Sequence, residues 1–206
     1  MSVKRISVGA LGTNCYIYRD EATGRCAVID PGDFDDTLKN AIEKYGCDKF
    51  DYILLTHCHF DHVAGVSRVR ELTGAKICIF LLDAPGLRDM YVNLSAPFTG
   101  RGEVYPKPDV EFKDREKFSV GQTEFTVMHT PGHTVGSCCF IADGIIFSGD
   151  TLFYRSAGRT DFPGGDVSEL RRSLKRLADL EGDYQVYPGH EDITTLEYER
   201  RYNIYM

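Results

Sequence analysis

The chain has 206 residues, of which 42% are hydrophobic and 27% charged. These ordinary proportions exclude a disordered, collagen-like or disulfide-packed chain and leave room for one large domain, 1–206, with a sizeable core. Lys and Arg number 24 against 31 Asp and Glu, a net charge of −7, so no positive field is available for a phosphate backbone and nucleic acid is not expected as a partner. The cysteines number seven, without a CxxC pair, which suits small buried hydrophobes in a reducing cytosol. Gly9, Gly12, Thr13 and Asn14 interrupt the apolar N-terminal stretch before a signal h-region forms, and no run reaches the length of a membrane span. A cytoplasmic protein with no membrane contact is expected.

In chain order, short strand patterns cover 3–8, 15–18 and 26–29, the last ending in Asp30-Pro31-Gly32. Leu38, Ala41, Ile42 and Tyr45 then recur at helical spacing, with acidic residues before them and Gly46 where the helix stops. A buried strand, 52–55, ends abruptly at Thr56-His57-Cys58-His59-Phe60-Asp61-His62; a helix is expected over 63–73 and a strand over 76–80. Pro85, Pro97 and Pro106 break any period in 83–109, an irregular insertion or lid whose Met90, Tyr91, Phe98 and Tyr105 offer soft apolar surface. Strands resume at 118–120, 124–129, 137–141 and 145–148. The helix over 167–180 has Asp166 as N-cap, Glu169 at the capping-box position and Leu170, Leu174 and Leu177 on one face; its Arg171, Arg172, Lys175 and Arg176 form the solvated side. A last strand, 185–187, runs into Pro188-Gly189-His190, and a terminal helix is expected over much of 194–205. Without a linker, the two halves read as layers of one α/β or α+β domain. The tail tyrosines Tyr198, Tyr202 and Tyr205 suit either internal packing or an interface, which leaves the oligomeric state open.

The polar residues at strand ends carry the chemistry. His57, His59 and His62 form H-x-H-x-D-H with Asp61, His133 lies in Pro131-Gly132-His133-Thr134, and Asp150 and His190 complete a set of seven side chains. Each group follows a strand at a turn, where an α/β scaffold gathers residues distant in sequence. Imidazole and carboxylate suit zinc, iron or manganese, and four to five ligands suffice for one ion, so this set points to two, bridged by a carboxylate. His129 fits packing or support of a ligand, Cys58 fits packing because its side chain points away from its neighbours', and Asp30 either orients a ligand or closes an Asx turn.

Taken in order, the motifs 56–62, 130–134, Ser148-Gly149-Asp150-Thr151 and 188–190 resemble the metallo-β-lactamase superfamily over essentially the whole chain. The resemblance implies an α+β fold, a four-layer αββα sandwich with the metals at one edge. It also implies His57, His59 and His133 on one metal, Asp61, His62 and His190 on the other, and Asp150 as the bridge. Gly149-Asp150-Thr151-Leu152-Phe153 followed by Gly158-Arg159-Thr160-Asp161-Phe162 is similar to the short glyoxalase II-like hydrolases. Glyoxalase II proper continues past its last histidine ligand into a helical domain that holds much of the glutathione, whereas here 191–206 follow.

The expected activity is hydrolysis of a small acyl-thioester such as S-lactoylglutathione. Two divalent ions, zinc first and iron or manganese also compatible, would lower the pKa of a bridging water, with Asp61 ligating and orienting the hydroxide. A thiolate leaves without a strong general acid, and ligands bind metal only when deprotonated, so activity should fall in acid. Arg159, Phe153 and Tyr91 are the expected substrate contacts, Arg159 meeting either a substrate carboxylate or Asp161. The alternatives are an iron-dependent persulfide dioxygenase and a lactonase, β-lactamase or other ester hydrolase of the same superfamily.

Overall fold

A computed structural model describes residues 1–206. The strand β1 (Ser2–Val8) forms a hairpin with β2 (Thr13–Arg19), which pairs with β3 (Cys26–Ile29). Helix α1 (Asp36–Tyr45) begins where the Asp35 carboxylate accepts the Leu38 N–H at 2.8 Å and ends at Gly46, returning the chain to β4 (Phe50–Leu55), parallel to β3. The helix expected over 63–73 is two pieces, α2 (Phe60–Val63) and α3 (Val66–Thr73). Helix geometry starts early enough to hold Asp61 and His62 and breaks at Gly65, where the chain presses on the 31–33 turn: a Cβ there would stand 2.4 Å from the Asp33 carbonyl oxygen.

After β5 (Lys76–Phe80) the segment 83–109 is more ordered than its prolines suggested. It contains a 3-10 turn, Ala84–Arg88, and the short helix α4 (Ser95–Thr99), and leads to a strand the pattern did not reveal, β6 (Val110–Phe112), parallel to β5. The first sheet thus has the order β1-β2-β3-β4-β5-β6.

The second half builds β7 (Lys117–Val120), β8 (Thr123–His129), β9 (Cys138–Ala142) and β10 (Ile145–Gly149), then the two-residue strands β11 (Leu152–Phe153) and β12 (Ser156–Ala157). Helix α5 (Val167–Ala178) crosses over to β13 (Gln185–Pro188), parallel to β10, before β14 (Thr194–Thr195) and α6 (Leu196–Tyr202). The second sheet has the order β14-β13-β10-β9-β8-β7. The terminal helix is shorter than expected because Thr194 and Thr195 pair with β13, and the Thr195 hydroxyl then caps α6 by accepting the Tyr198 N–H.

Three separate apolar clusters define four layers. Ile17, Val28, Ile53 and Ile77 of the first sheet pack against Leu38, Ile42, Val63, Val66 and Val69 of α1 to α3. Tyr16, Tyr18, Ile29, Leu54 and Phe80 turn to the other face and meet Phe125, Val127, Phe140 and Phe147 of the second sheet. Cys139, Ile146 and Val186 face outward again, onto Leu170, Leu174, Leu177 and Leu196 of α5 and α6. Alternate residues of one strand thus feed different clusters, giving the αββα sandwich.

Asp166 caps α5 as expected, accepting the Ser168 and Glu169 N–H groups at 2.7 and 2.9 Å. Arg176 departs from the solvated side: it donates to the His129 carbonyl at 2.6 Å and pairs with Asp114 at 3.1 Å, tying α5 to the end of β8. Tyr198 stacks on Tyr154 with ring centroids 5.4 Å apart. No helix is long and apolar enough to cross a membrane.

The outermost interface rests on few side chains, so Leu174→Ala is expected to lower unfolding stability by about 2–4 kcal/mol. Arg172→Ala, on the exposed face of the same helix, should leave the unfolding midpoint nearly unchanged. Urea unfolding followed by circular dichroism checks both.

Candidate metal centre

The ends of β3, β4, β8, β10 and β13 meet at one edge of the sandwich and deliver Asp30, the 56–62 loop, His133, Asp150 and His190. The side chains of His57, His59, His62 and His133 are buried, Asp150 is 8% exposed, and His190 and Asp61 are part-exposed. Gly189 allows this crowding, because a Cβ there would fall 2.3 Å from Asp150 Oδ1 and 2.6 Å from His62 Cε1. Across the sheets, Asn14 Nδ2 donates to the carbonyls of Pro188 and Glu191 at 3.0 and 2.9 Å, and the Tyr16 hydroxyl to that of Pro188 at 2.7 Å, so β2 holds the loop that carries His190.

Hydrogen bonds on the far side of each ring fix where its lone pair points. Asp30, buried and in a left-handed conformation at φ 48°, accepts the Thr56 N–H at 2.8 Å, the Thr56 hydroxyl at 2.7 Å and His62 Nδ1–H at 3.1 Å. With its proton committed to Asp30, the Thr56 hydroxyl oxygen accepts His57 Nδ1–H at 3.1 Å. His133 Nδ1–H donates to the Arg159 carbonyl at 2.8 Å. These bonds turn the Nε2 atoms of His57, His62 and His133 into the cluster.

The donors form three overlapping groups, His57–His59–His133, His57–His62–Asp150 and Asp61–His62–His190, with ligand atoms of each within 4.8 Å of one another. Asp150 lies between the outer two: its carboxylate is 3.6 Å from His133 Nε2, 3.4 Å from His62 Nε2 and 3.8 Å from His190 Nε2. Asp61 Oδ2 is 3.2 Å from His190 Nε2 and accepts the Thr13 hydroxyl at 3.2 Å. His57 Nε2, His59 Nε2 and Asp150 Oδ1 are buried without a hydrogen-bond partner. Each such atom costs about 1–3 kcal/mol if left unsatisfied, so this donor set fits divalent cations, which use lone pairs and not protons.

The charge distribution agrees. Burial and the neighbouring rings hold His57 and His59 well below the ordinary imidazole range. Burial acts the same way on His62, but Asp150, Asp61 and Asp30 outweigh it and raise its pKa to about 10. Burial would raise the Asp61 carboxyl, yet His62 and His190 hold it below the usual carboxylate range. Carboxylates that attract a proton to His62 attract a cation to the same lone pair.

Asp83 is a supporting residue the motifs did not disclose. It is 2% exposed; its carboxylate accepts the Cys58 N–H at 2.9 Å, the Thr134 hydroxyl at 2.8 Å and the Gly136 N–H at 2.7 Å. It therefore ties the loop of His57 and His59 to the loop of His133. Cys58 itself is buried in the apolar cluster under the first sheet, where burial pushes its thiol pKa up. His129 stacks on Phe80 with centroids 4.1 Å apart and bonds to the Val135 carbonyl, a packing role.

Above the cluster lies a cleft of about 430 Å3, lined in part by Phe153 and Arg159. Tyr91 is a correction: it is 67% exposed and not part of the lining, because Asp89 accepts the Tyr91 and Val92 N–H groups in a turn that directs the ring outward. The insertion instead contributes Leu94 and Phe98, which join Phe60 and Phe162. Arg159 pairs with Asp161 through two contacts of 2.6 Å and lies over the Phe162 ring at 4.0 Å.

Asp83→Ala should lower metal retention about 10- to 100-fold, as removal of support behind a ligand does. Metal content after dialysis against graded chelator measures it, and Asp83→Asn, which keeps acceptor capacity on one oxygen, should lose less.

The metallo-beta-lactamase superfamily profile matches residues 8–190. A protein of Aquifex aeolicus is 38% identical, covering 98% of this chain and 96% of its own; a hydroxyacylglutathione hydrolase of Haemophilus influenzae is 31% identical, covering 100% and 98%. Among solved structures, the B3 metallo-beta-lactamase BLEG-1 superposes with a TM-score of 0.92 at 31% identity over 99% of each chain. The protein TTHA1623 in a di-iron-bound form gives 0.84 at 34% identity over 98% of this chain and 100% of its own. With both sheets, the edge cluster and these matches in agreement, the chain belongs to the metallo-beta-lactamase superfamily.

Proposed function

We propose that this protein is a dinuclear metal-dependent hydrolase that cleaves small acyl-thioesters of the hydroxyacylglutathione kind. The observation that carries the reading is the convergence of all seven donors at one edge, with Asp150 facing both outer groups. The near full-length similarity to the Haemophilus hydrolase supports it. His57, His59 and His133 would hold one ion and Asp61, His62 and His190 the second, with Asp150 shared. Zinc, iron and manganese all suit this donor set, and the di-iron form belongs to TTHA1623. When bound, divalent ions supply Lewis acidity, lowering the pKa of water and stabilising charge on a carbonyl oxygen.

The chain's own residues do the rest. Asp61, anchored by Thr13, presents a carboxylate that accepts a hydrogen bond from the attacking water and aims it. His133, locked by the Arg159 carbonyl, cannot rotate away from the cleft floor. Phe60, Phe98 and Phe162 exclude bulk water from one side. The cleft is lined by no Lys, Tyr or Cys, which matters little for a thiolate of pKa about 8.5, stable as it departs. It matters for a β-lactam, whose amine must be protonated as it leaves. Similarity to BLEG-1 makes β-lactam hydrolysis the second reading.

Purified protein should hydrolyse S-lactoylglutathione, carry about two metal ions per chain, and lose turnover on chelation. Failure on every acyl-thioester, with turnover of a chromogenic cephalosporin, would select the β-lactamase reading; a single iron with oxygen uptake on glutathione persulfide would select the dioxygenase. His190→Ala should reduce the metal content toward one ion and the rate by about 100-fold or more.

Acid should empty the two metal groups in order. His57 and His59 have lowered pKa values and no proton to displace at neutral pH, whereas His62 keeps its proton up to about 10. Apparent affinity of the group containing Asp61, His62 and His190 should therefore fall about tenfold per pH unit on acidification, ahead of the site held by His57 and His59. Metal titrations between pH 9 and 6 read this as loss of one ion before the other.

A further inference from the structure

The cleft over the metal centre carries more information about its substrate than the donor set does. On the His59 and His133 side, Phe98 joins two other rings: it stacks on Phe60 with centroids 5.7 Å apart and meets Phe162 edge-on at 5.7 Å, and Phe162 in turn meets His59 edge-on at 5.9 Å. Leu94, 5% exposed, lies in the same lining. Phe98 is 52% exposed, and a large aromatic ring left open toward a cleft gains contact area only when something apolar fills the space before it.

The ionic side of the cleft points the same way. Among the lining side chains Arg159 is the one Lys or Arg, and the Nε–Nη2 edge of its guanidinium is taken by the Asp161 carboxylate. That contact holds the Asp161 carboxyl down to about 2, so the partner stays ionised at any working pH. Glu191 also lines the cleft, and beside it Asp192 pairs with Arg5 at 3.6 Å. A carrier with two free carboxylates, such as glutathione, meets no unpartnered cation at this mouth.

Resting on the thioesterase reading, we propose that the site selects thioesters with an apolar, ring-sized acyl group on an uncharged thiol carrier, the acyl group lying against Phe60, Phe98 and Phe162. Recognition then comes from burying that group, and the carrier contributes little beyond its sulfur. Asp161 acts as a specificity residue by occupying the arginine that would otherwise receive a carboxylate.

Three substrates given to the metal-loaded protein test this: S-phenylacetyl-N-acetylcysteamine, S-lactoyl-N-acetylcysteamine and S-lactoylglutathione. The expected result is a kcat/KM for the phenylacetyl compound about tenfold or more above either lactoyl compound, since burying a ring is worth at least one such factor. The two lactoyl compounds should differ little from each other. Phe98→Ala should shrink the phenylacetyl-to-lactoyl ratio toward one. Asp161→Asn, at an exposed position, should raise kcat/KM on S-lactoylglutathione by about threefold or more by freeing Arg159. Calorimetric binding of the products, phenylacetate against lactate, gives the same ordering without turnover. Good turnover of S-lactoylglutathione with no advantage for the phenylacetyl compound would overturn the proposal and leave the thioesterase reading intact. Hydrolysis of none of the three would overturn both.

Discussion

One buried carboxylate sets the terms for the whole edge. Asp30 sits at the end of β3 with a backbone conformation that non-glycine residues rarely adopt, and it receives three hydrogen bonds, two from Thr56 and one from His62. Through the Thr56 hydroxyl it orients His57, and directly it orients His62, so two rings present their Nε2 atoms to the same space because of one side chain. The strain at φ 48° is held in place by those three bonds, and removing any one would loosen the adjacent strand ends together. Asp83 plays the matching part on the other side, between the His57–His59 loop and the His133 loop. The centre is thus two acidic anchors with seven donors between them.

The motifs were legible because they are local. H-x-H-x-D-H, P-G-H and G-D-T each concentrate donors within a few residues of a strand end, and the structure brings all of them to one place. Asp83 and Phe60 were not legible as site residues, and Phe98 was legible only as one of several apolar residues of the insertion. Asp83 acts on backbone N–H groups, which leave no trace in a sequence, and Phe98 reaches the cleft by way of a helix within a proline-broken segment. Tyr91, seven residues earlier, looked equally apt and faces outward.

The fold shows a similar division. Strands of the sheet interiors, such as β3 and β10, are buried on both faces and read as short apolar runs. Their alternation between two clusters is invisible until both partners are in place. The strands that went unseen, β6, β11, β12 and β14, have three or two residues each, too few for any period. The break at Gly65 came from a backbone contact with the 31–33 turn, a tertiary event no helical pattern predicts.

The arrangement of the sheets also bears on how the chain assembles. The first sheet is made wholly of residues from 2 to 112 and the second of residues from 117 to 195, with no strand exchanged between them. As the chain leaves the ribosome, its first half can pair its strands and cover one face before the second exists. His57, His59, Asp61 and His62 are then already in hand, while His133, Asp150 and His190 arrive later. Each three-donor group draws at least one member from the second half. A nascent chain therefore cannot complete any of these groups, and full metal capture is deferred until the sandwich has closed.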